Sequence, residues 1–170
     1  LDGGWFLGRD DDRRALGDWA VDPKKFPNGL APIIEACHEK GMEFGLWIEP
    51  EMVSQKSKLY ETHPDWVLHH QGVPLNEARQ QLVLDLSQPA VVSHLFDEIS
   101  SLLSAHSIAY IKWDMNRDIH QAGNGEGRHA SHRQTRALYQ LLHRVKKAFP
   151  EVSIETCSSG GGRADLGILE

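Results

Sequence analysis

Short apolar runs of strand character alternate along this chain with segments whose apolar residues recur at helical spacing, and nothing else limits its fold as strongly. The runs are residues 42–48, 81–86, 108–113 and 152–157, and residues 1–7 resemble the end of a strand entering a loop. Between them, Leu30, Ile33, Ile34 and Cys37 predict a helix closed by Gly41. Residues 56–62 predict a second, which His63-Pro64 stops because the residue before a proline avoids helical angles. Ser87 and Pro89 open a third, with an apolar stripe through Val91, Val92, Leu95, Phe96, Ile99, Leu102 and Leu103. Leu138, Leu141, Leu142, Val145 and Phe149 mark a fourth, ended before Pro150. Such alternation predicts parallel strands joined by helical crossovers. Doubly wound sheets and (β/α)8 barrels both satisfy it. Trp47, Glu49, Asp85, Asp114 and Cys157 all fall at the carboxyl ends of these strands, and chemistry converging from many strand ends on one mouth is the barrel arrangement. A complete barrel takes about 250 residues. With 170 residues, the expectation is an α/β fold, a partial (β/α)8 TIM barrel of about its first five units.

One domain with one core suits this length. A content of 40% hydrophobic and 25% charged residues is that of an ordinary globular protein and excludes wholesale disorder. The net charge of −6 argues against a nucleic-acid partner, which needs a basic stripe. No run of about 18 apolar residues offers a membrane span. The chain begins without Met and stops at Ile168-Leu169-Glu170, so it is expected to be a piece of a longer protein, and the lack of a signal peptide carries no weight. Cys37 and Cys157 make no disulfide framework, and reduced thiols in a cytoplasmic setting are the default expectation. Asp10, Asp11 and Asp12 could hold a hard cation, but their spacing matches no loop motif and a solvated loop is the simpler expectation. The ten histidines, His69-His70 and the pair His129 and His132 among them, show no metal-ligand spacing and are expected mainly at the surface. Gly123-Asn124-Gly125-Glu126-Gly127-Arg128 superficially suggests a nucleotide loop, yet it lies well past its strand and lacks the third glycine of that spacing.

The densest chemistry lies in Ala109-Tyr110-Ile111-Lys112-Trp113-Asp114-Met115-Asn116-Arg117. Strand periodicity puts Lys112, Asp114 and Asn116 on one face, and Ile111, Trp113 and Met115 on the other. A cation, a carboxylate and an amide sharing a strand-end face fit an ionised nucleophile, because a nearby cation lowers a carboxylate's pKa. A structural Lys–Asp pair fits as well, and these residues alone leave both open.

Taken in order, several segments resemble the α-galactosidases of glycoside hydrolase family 36. They are Leu1-Asp2-Gly3-Gly4-Trp5-Phe6, Leu16-Gly17-Asp18-Trp19, Leu46-Trp47-Ile48-Glu49-Pro50-Glu51-Met52-Val53, Arg79-Gln80-Gln81-Leu82-Val83-Leu84-Asp85-Leu86, residues 110–117 and Cys157-Ser158-Ser159-Gly160-Gly161-Gly162-Arg163. The resemblance implies a (β/α)8 catalytic domain whose other barrel strands, N-terminal β domain and C-terminal domain lie outside this chain. It implies that Asp114 is the nucleophile of a retaining α-galactosidase, and that Asp2, Trp47, Arg79, Lys112, Asn116, Cys157 and Gly160 line the sugar subsite. It implies an α-galactoside oligosaccharide such as melibiose or the raffinose series as substrate, with no metal and no cofactor, and it leaves a homo-oligomeric parent open. The family's general acid/base sits on the strand after the glycine run, beyond Glu170. Where the family has two adjacent aspartates, this chain has Asp2 followed by Gly3. That departure keeps an α-N-acetylgalactosaminidase in view, beside a galactosyl transferase and a non-catalytic carbohydrate-binding relative.

Overall fold

The computed structural model describes residues 1–124 and 129–169. Its centre is a parallel sheet of three strands in the order β1 (Gly45–Ile48), β4 (Tyr110–Trp113), β5 (Ser153–Thr156). Leu1 extends the sheet beyond β1: its amino group donates to the Gly45 carbonyl, and its own carbonyl accepts from Trp47 N–H at 3.0 Å. The expected strand end is thus confined to Leu1, and residues 2–7 are bends, turns and a lone bridge of Phe6 with Val21. Each observed strand is shorter than its apolar run. β1 starts at Gly45, after the exposed Met42 and the buried Phe44.

The crossover helices match the spacing rules. Helix α1 (Ala31–His38) buries Leu30 and Ile34, and the chain leaves it through Gly41 at φ +69°, a left-handed conformation that glycine adopts without a Cβ clash. Helix α2 (Lys58–Thr62) is capped twice. The Ser57 hydroxyl accepts from Tyr60 N–H, and the Asp18 carboxylate accepts from Lys58 and Leu59 N–H at 2.7 and 3.0 Å. Helices α3 (Pro89–Ala105) and α4 (Ser131–Ala148) pack on each other. Val91, Leu95 and Ile99 of α3 join Leu138, Leu141 and Val145 of α4 in one core with Ile111 and Trp113 of β4. No helix among the described residues is long and apolar enough to cross a membrane.

Residues 81–86 correct the expected repeat. They form no third parallel strand. Only β3 (Leu82–Val83) is extended, and it pairs antiparallel with β2 (Met52–Val53), so β1 and β4 are direct neighbours. Arg79 and Gln80, at φ +53° and +60°, turn the chain back on itself just before β3. Past β3 the backbone finds other partners. Leu84 N–H donates to the Glu51 carbonyl and Asp85 N–H to the Trp66 carbonyl, while the buried Gln134 amide of α4 accepts from Leu86 N–H at 2.8 Å and donates to the Leu84 carbonyl at 2.9 Å. With these groups satisfied, no strand neighbour is needed. Asp85 consequently does not join the other strand-end residues. Its carboxylate accepts from Ser87 N–H, Ser87 Oγ–H and Gln88 Nε2–H at the start of α3. The central part of the glycine-bearing segment, residues 125–128, lies outside the described residues.

Gln134→Ala should therefore be more damaging than an ordinary surface change on α4. It leaves a buried N–H and a buried C=O without partners, at about 1–3 kcal/mol each. Urea unfolding should show a lowered midpoint with an unchanged slope.

Candidate active site

The hydrogen-bond ladder of the parallel sheet sets three strand ends side by side. Asp114 N–H donates to the Ile48 carbonyl at 2.9 Å and Cys157 N–H to the Trp113 carbonyl at 2.8 Å, continuing the pairing past the last strand residues. Trp47 and Glu49 of the β1 end, Asp114 of β4 and Cys157 of β5 thus lie on one edge. The alternation along β4 is the expected one: Ile111, Trp113 and Met115 are buried in the core, and Asp114 and Asn116 share the other face.

Asp114 is 6% exposed, and donors meet it from several elements. Its Oδ2 accepts from Trp47 Nε1 at 3.0 Å and from Asn116 Nδ2 at 2.6 Å, and its Oδ1 from Met115 N–H at 2.9 Å. The Cys157 thiol donates as well. Burial alone would push this carboxyl up. The bonds from Trp47, Asn116, Cys157 and Met115 outweigh it and hold the group below its ordinary value, so it is ionised at neutral pH. The cation that the sequence sets beside it has another partner. Lys112 lies opposite Glu155 in the β4–β5 register and pairs with it at 3.8 Å. Both side chains are well exposed, so that pair contributes little.

The second buried carboxyl is Glu49, 1% exposed. It accepts from the Asn116 backbone N–H and from Gln81 Nε2 at 3.2 Å. Burial pushes it above its ordinary value, the Asn116 bonds counter this in part, and the charge of Asp114 adds to the rise while Arg79 opposes it. Two neighbouring carboxyls displaced in opposite directions are the arrangement that separates chemical roles in a site. A pocket of about 330 Å³ opens beside them, lined by Trp47, Glu49, Arg79 and Asn116 together with Arg9, Asp12 and Arg13 from the loop after the first strand.

The remaining sequence-selected residues take different places. Arg79 reaches the site through Asn116, donating to its carbonyl at 3.2 Å. Gly160 stands at φ +94° in an exposed turn where Ser158 N–H donates to its carbonyl. Asp2 is exposed beside β1, and its carboxylate accepts from Gly3 N–H at 2.7 Å. Both cysteines are free thiols. The acidic cluster is met by its own cations: Asp10 pairs with Lys25 at 3.4 Å and Asp11 with Arg14 at 3.3 Å. Among the described residues, no group of three or more His, Cys, Asp or Glu is placed to hold a metal.

Sequence reasoning did not select Gln81, Arg9, Asp12 or Arg13 for the site, and treated Glu49 only as a carboxyl near a strand end. It also passed over a buried ion pair. Arg163 Nη1 bonds Glu51 Oε1, Arg163 Nη2 donates to the Cys157 carbonyl at 2.9 Å, and Glu51 further accepts from Trp113 Nε1 at 3.0 Å. The only prior signal was the presence of acidic residues inside an otherwise apolar segment, since a buried charge needs a partner.

With this geometry in hand, the relatives become informative. The melibiase family model matches residues 1–170. The chain belongs to the melibiase family. It is 48% identical over 170 residues to the α-galactosidase of Escherichia coli, covering all of this chain and 24% of that protein. It superposes on the family 36 α-galactosidase AgaB of Geobacillus stearothermophilus with a TM-score of 0.95 at 47% identity, over 99% of this chain and 24% of the other. A variant of AgaA from the same organism, solved in complex with raffinose, gives 0.94 at 46% identity with the same coverage. The chain thus spans about a quarter of the length of these relatives, 24% in each case.

Trp47→Phe keeps the ring and deletes one donor, so the Asp114 pKa should rise toward the ordinary carboxylate value, read by carbon-13 titration of the side-chain carboxyl. The depressed pKa of Asp114 contributes stability that is present above its unfolded-state pKa and lost as pH falls through the folded one. The variant should lose part of that contribution and unfold in acid at a higher pH than the parent sequence.

Proposed function

We propose that this chain carries the nucleophile half of a retaining α-galactosidase, the remainder of the site coming from a segment outside these 170 residues. The observation that carries the reading is Asp114: a buried, ionised carboxylate at a strand end, oriented by Trp47, Asn116, Cys157 and Met115. The names of the relatives support it, as do complexes of AgaA variants with raffinose and stachyose. In this reading an Asp114 oxygen attacks the anomeric carbon, and the bond from that carbon to the leaving oxygen breaks as an ester to Asp114 forms. A second carboxyl about 5–5.5 Å away protonates the leaving oxygen, then draws a proton from the water that hydrolyses the ester. Glu49 is not assigned that role: its oxygens hold Gln81 and the backbone of Asn116.

The same reading makes the parallel sheet part of a (β/α)8 barrel, this chain supplying the Leu1 extension, β1, β4 and β5 rather than the five strands its sequence suggests, with an N-terminal β domain and a C-terminal domain elsewhere in the parent. Trp47, Arg79, Lys112, Cys157, Gly160 and Asp2 would contact the sugar: Trp47 through an apolar ring, Arg79 and Lys112 through charge-assisted bonds to hydroxyls. One observation favours a second reading, an α-N-acetylgalactosaminidase. Gly3 lies against the Trp47 ring, and a Cβ there would stand 3.4 Å from it, in ordinary contact. A Cβ is tolerated there, and with glycine in place the space a side chain would fill is left for a larger substituent.

In the full-length parent, Asp114→Ala should abolish turnover of an aryl α-galactoside, and azide should restore part of it with an activated substrate. Undiminished turnover by this variant would remove Asp114 from the mechanism. The 170-residue chain alone should hydrolyse no α-galactoside. Gly3→Asp should raise the ratio of aryl α-galactoside to aryl α-N-acetylgalactosaminide turnover, and an unchanged ratio would separate Gly3 from substrate choice.

A further inference from the structure

The residues that bond Asp114 are themselves held, and the hold converges on one group. Asn116 is gripped at three points. Its Nδ2 donates to Asp114 Oδ2, its backbone N–H donates to Glu49 Oε1, and its carbonyl accepts from Arg79 Nη1. The bonds to Glu49 and Asp114 are part-buried and the one from Arg79 is exposed. Glu49 Oε2 is fixed in turn by Gln81 Nε2. The charged groups around Glu49 are Asp114 from the β4 end, Arg79 from the turn before β3 and Arg9 from the loop after the first strand, with Asp12 and Arg13 lining the same pocket. Among the described residues neither arginine reaches ion-pair distance. Glu49 is therefore a buried carboxyl whose bonding partners are neutral amides, an expensive placement that calls for a reason beyond packing.

We propose that Glu49 is a positioning residue: by holding the backbone of Asn116 it aims the Asn116 amide at Asp114, and so sets the orientation of the nucleophile. This rests on the reading of Asp114 given above. The bond from Asn116 is charge-assisted while Glu49 is ionised and roughly half as strong once it is protonated. Burial raises Glu49 and the donors lower Asp114. As pH falls, Glu49 takes its proton first, the grip on Asn116 slackens, and the nucleophile loses its alignment while still ionised. Misplacement of a reacting group on this scale costs up to about a hundredfold in rate.

The unpaired atom of Gln81 makes the charge separable from the shape. Gln81 Oε1 is buried with no partner among the described residues. In Glu49→Gln, rotation of the Gln81 amide brings that oxygen to the new NH2 group, while the retained carbonyl still accepts from Asn116. The variant thus removes charge with little loss of fit.

The test uses the full-length parent with 4-nitrophenyl α-galactoside. Glu49→Gln should lower kcat by about tenfold to a hundredfold with KM within about threefold, because Glu49 is not proposed to contact the sugar. Its acid limb in kcat should move to lower pH, leaving only the protonation of Asp114. Gln81→Met deletes the donor to Glu49 Oε2 and keeps the charge, so it should move the acid limb to higher pH. Both variants are checked by urea unfolding. If Glu49→Gln folds and keeps the parent kcat and acid limb, the proposal is overturned. If it does not fold, an unmoved limb in Gln81→Met overturns it. Turnover that survives Asp114→Ala defeats the reading of the nucleophile itself, whatever the Glu49 variants do.

Discussion

A buried carboxylate that has no cation must be held by hydrogen-bond donors, and Asp114 meets that condition only because three chain segments end at the same level. Trp47, Asn116 and Cys157 each supply a donor, and they come from β1, the turn after β4 and the end of β5. The parallel register sets that level. Trp47 stands beside Lys112 and Lys112 beside Glu155, so the residues two further along β4 and β5, Asp114 and Cys157, emerge together. A shift of one residue in either pairing would turn the donors to the opposite face. Core packing therefore underlies the site, since Ile111 and Trp113, locked among the helices, fix the register that the polar face depends on.

The alternation of runs and helices made the parallel sheet and its crossovers legible, and strand periodicity gave the two faces of β4 correctly. Both are local properties of the chain. What escaped were features decided by tertiary partners. Residues 84–86 carry the same apolar character as a strand, but whether they join a sheet depends on who bonds their backbone, and a glutamine of α4 does so. Lys112 is two residues from Asp114, yet its partner is the register neighbour on β5. Loop 8–14 looks like solvated polar chain. Its approach to Trp47 is a matter of how the loop folds back, for which the sequence has no periodic signal.

The segment Trp47-Ile48-Glu49-Pro50-Glu51 shows how far the same residue type can be divided in use. Both glutamates are almost fully buried, at 1% and 2% exposed, and each solves the cost of burial differently. Glu51 has a guanidinium: Arg163 bonds it, Trp113 donates to it, and Arg163 also fastens the Cys157 carbonyl. That pair ties the loop after β5 to the end of β1, and breaking it would leave an uncompensated charge in the interior. Glu49 bonds only amides among the described residues, and burial raises its pKa. The paired carboxylate suits a permanent structural tie, whereas the unpaired one is sensitive to its surroundings.

That sensitivity reaches Asp114 itself. The negative charge on Asp114 is one of the causes that raise Glu49. In the proposed mechanism, esterification of Asp114 would remove its charge, so the opposition to ionising Glu49 would fall and the acceptor for Asn116 would strengthen while the sugar is attached. When the ester is cleaved and the carboxylate returns, the opposition returns with it. The two carboxyls share one asparagine between them, so in that mechanism the support of Asp114 would be firmest when Asp114 is neutral. Such coupling needs Glu49 to lack a cation, because an arginine in contact would hold it ionised throughout. Among the described residues Glu49 has no ion pair while Glu51, two residues on, has one, and in the proposed mechanism that contrast is what would let the support respond to the chemistry.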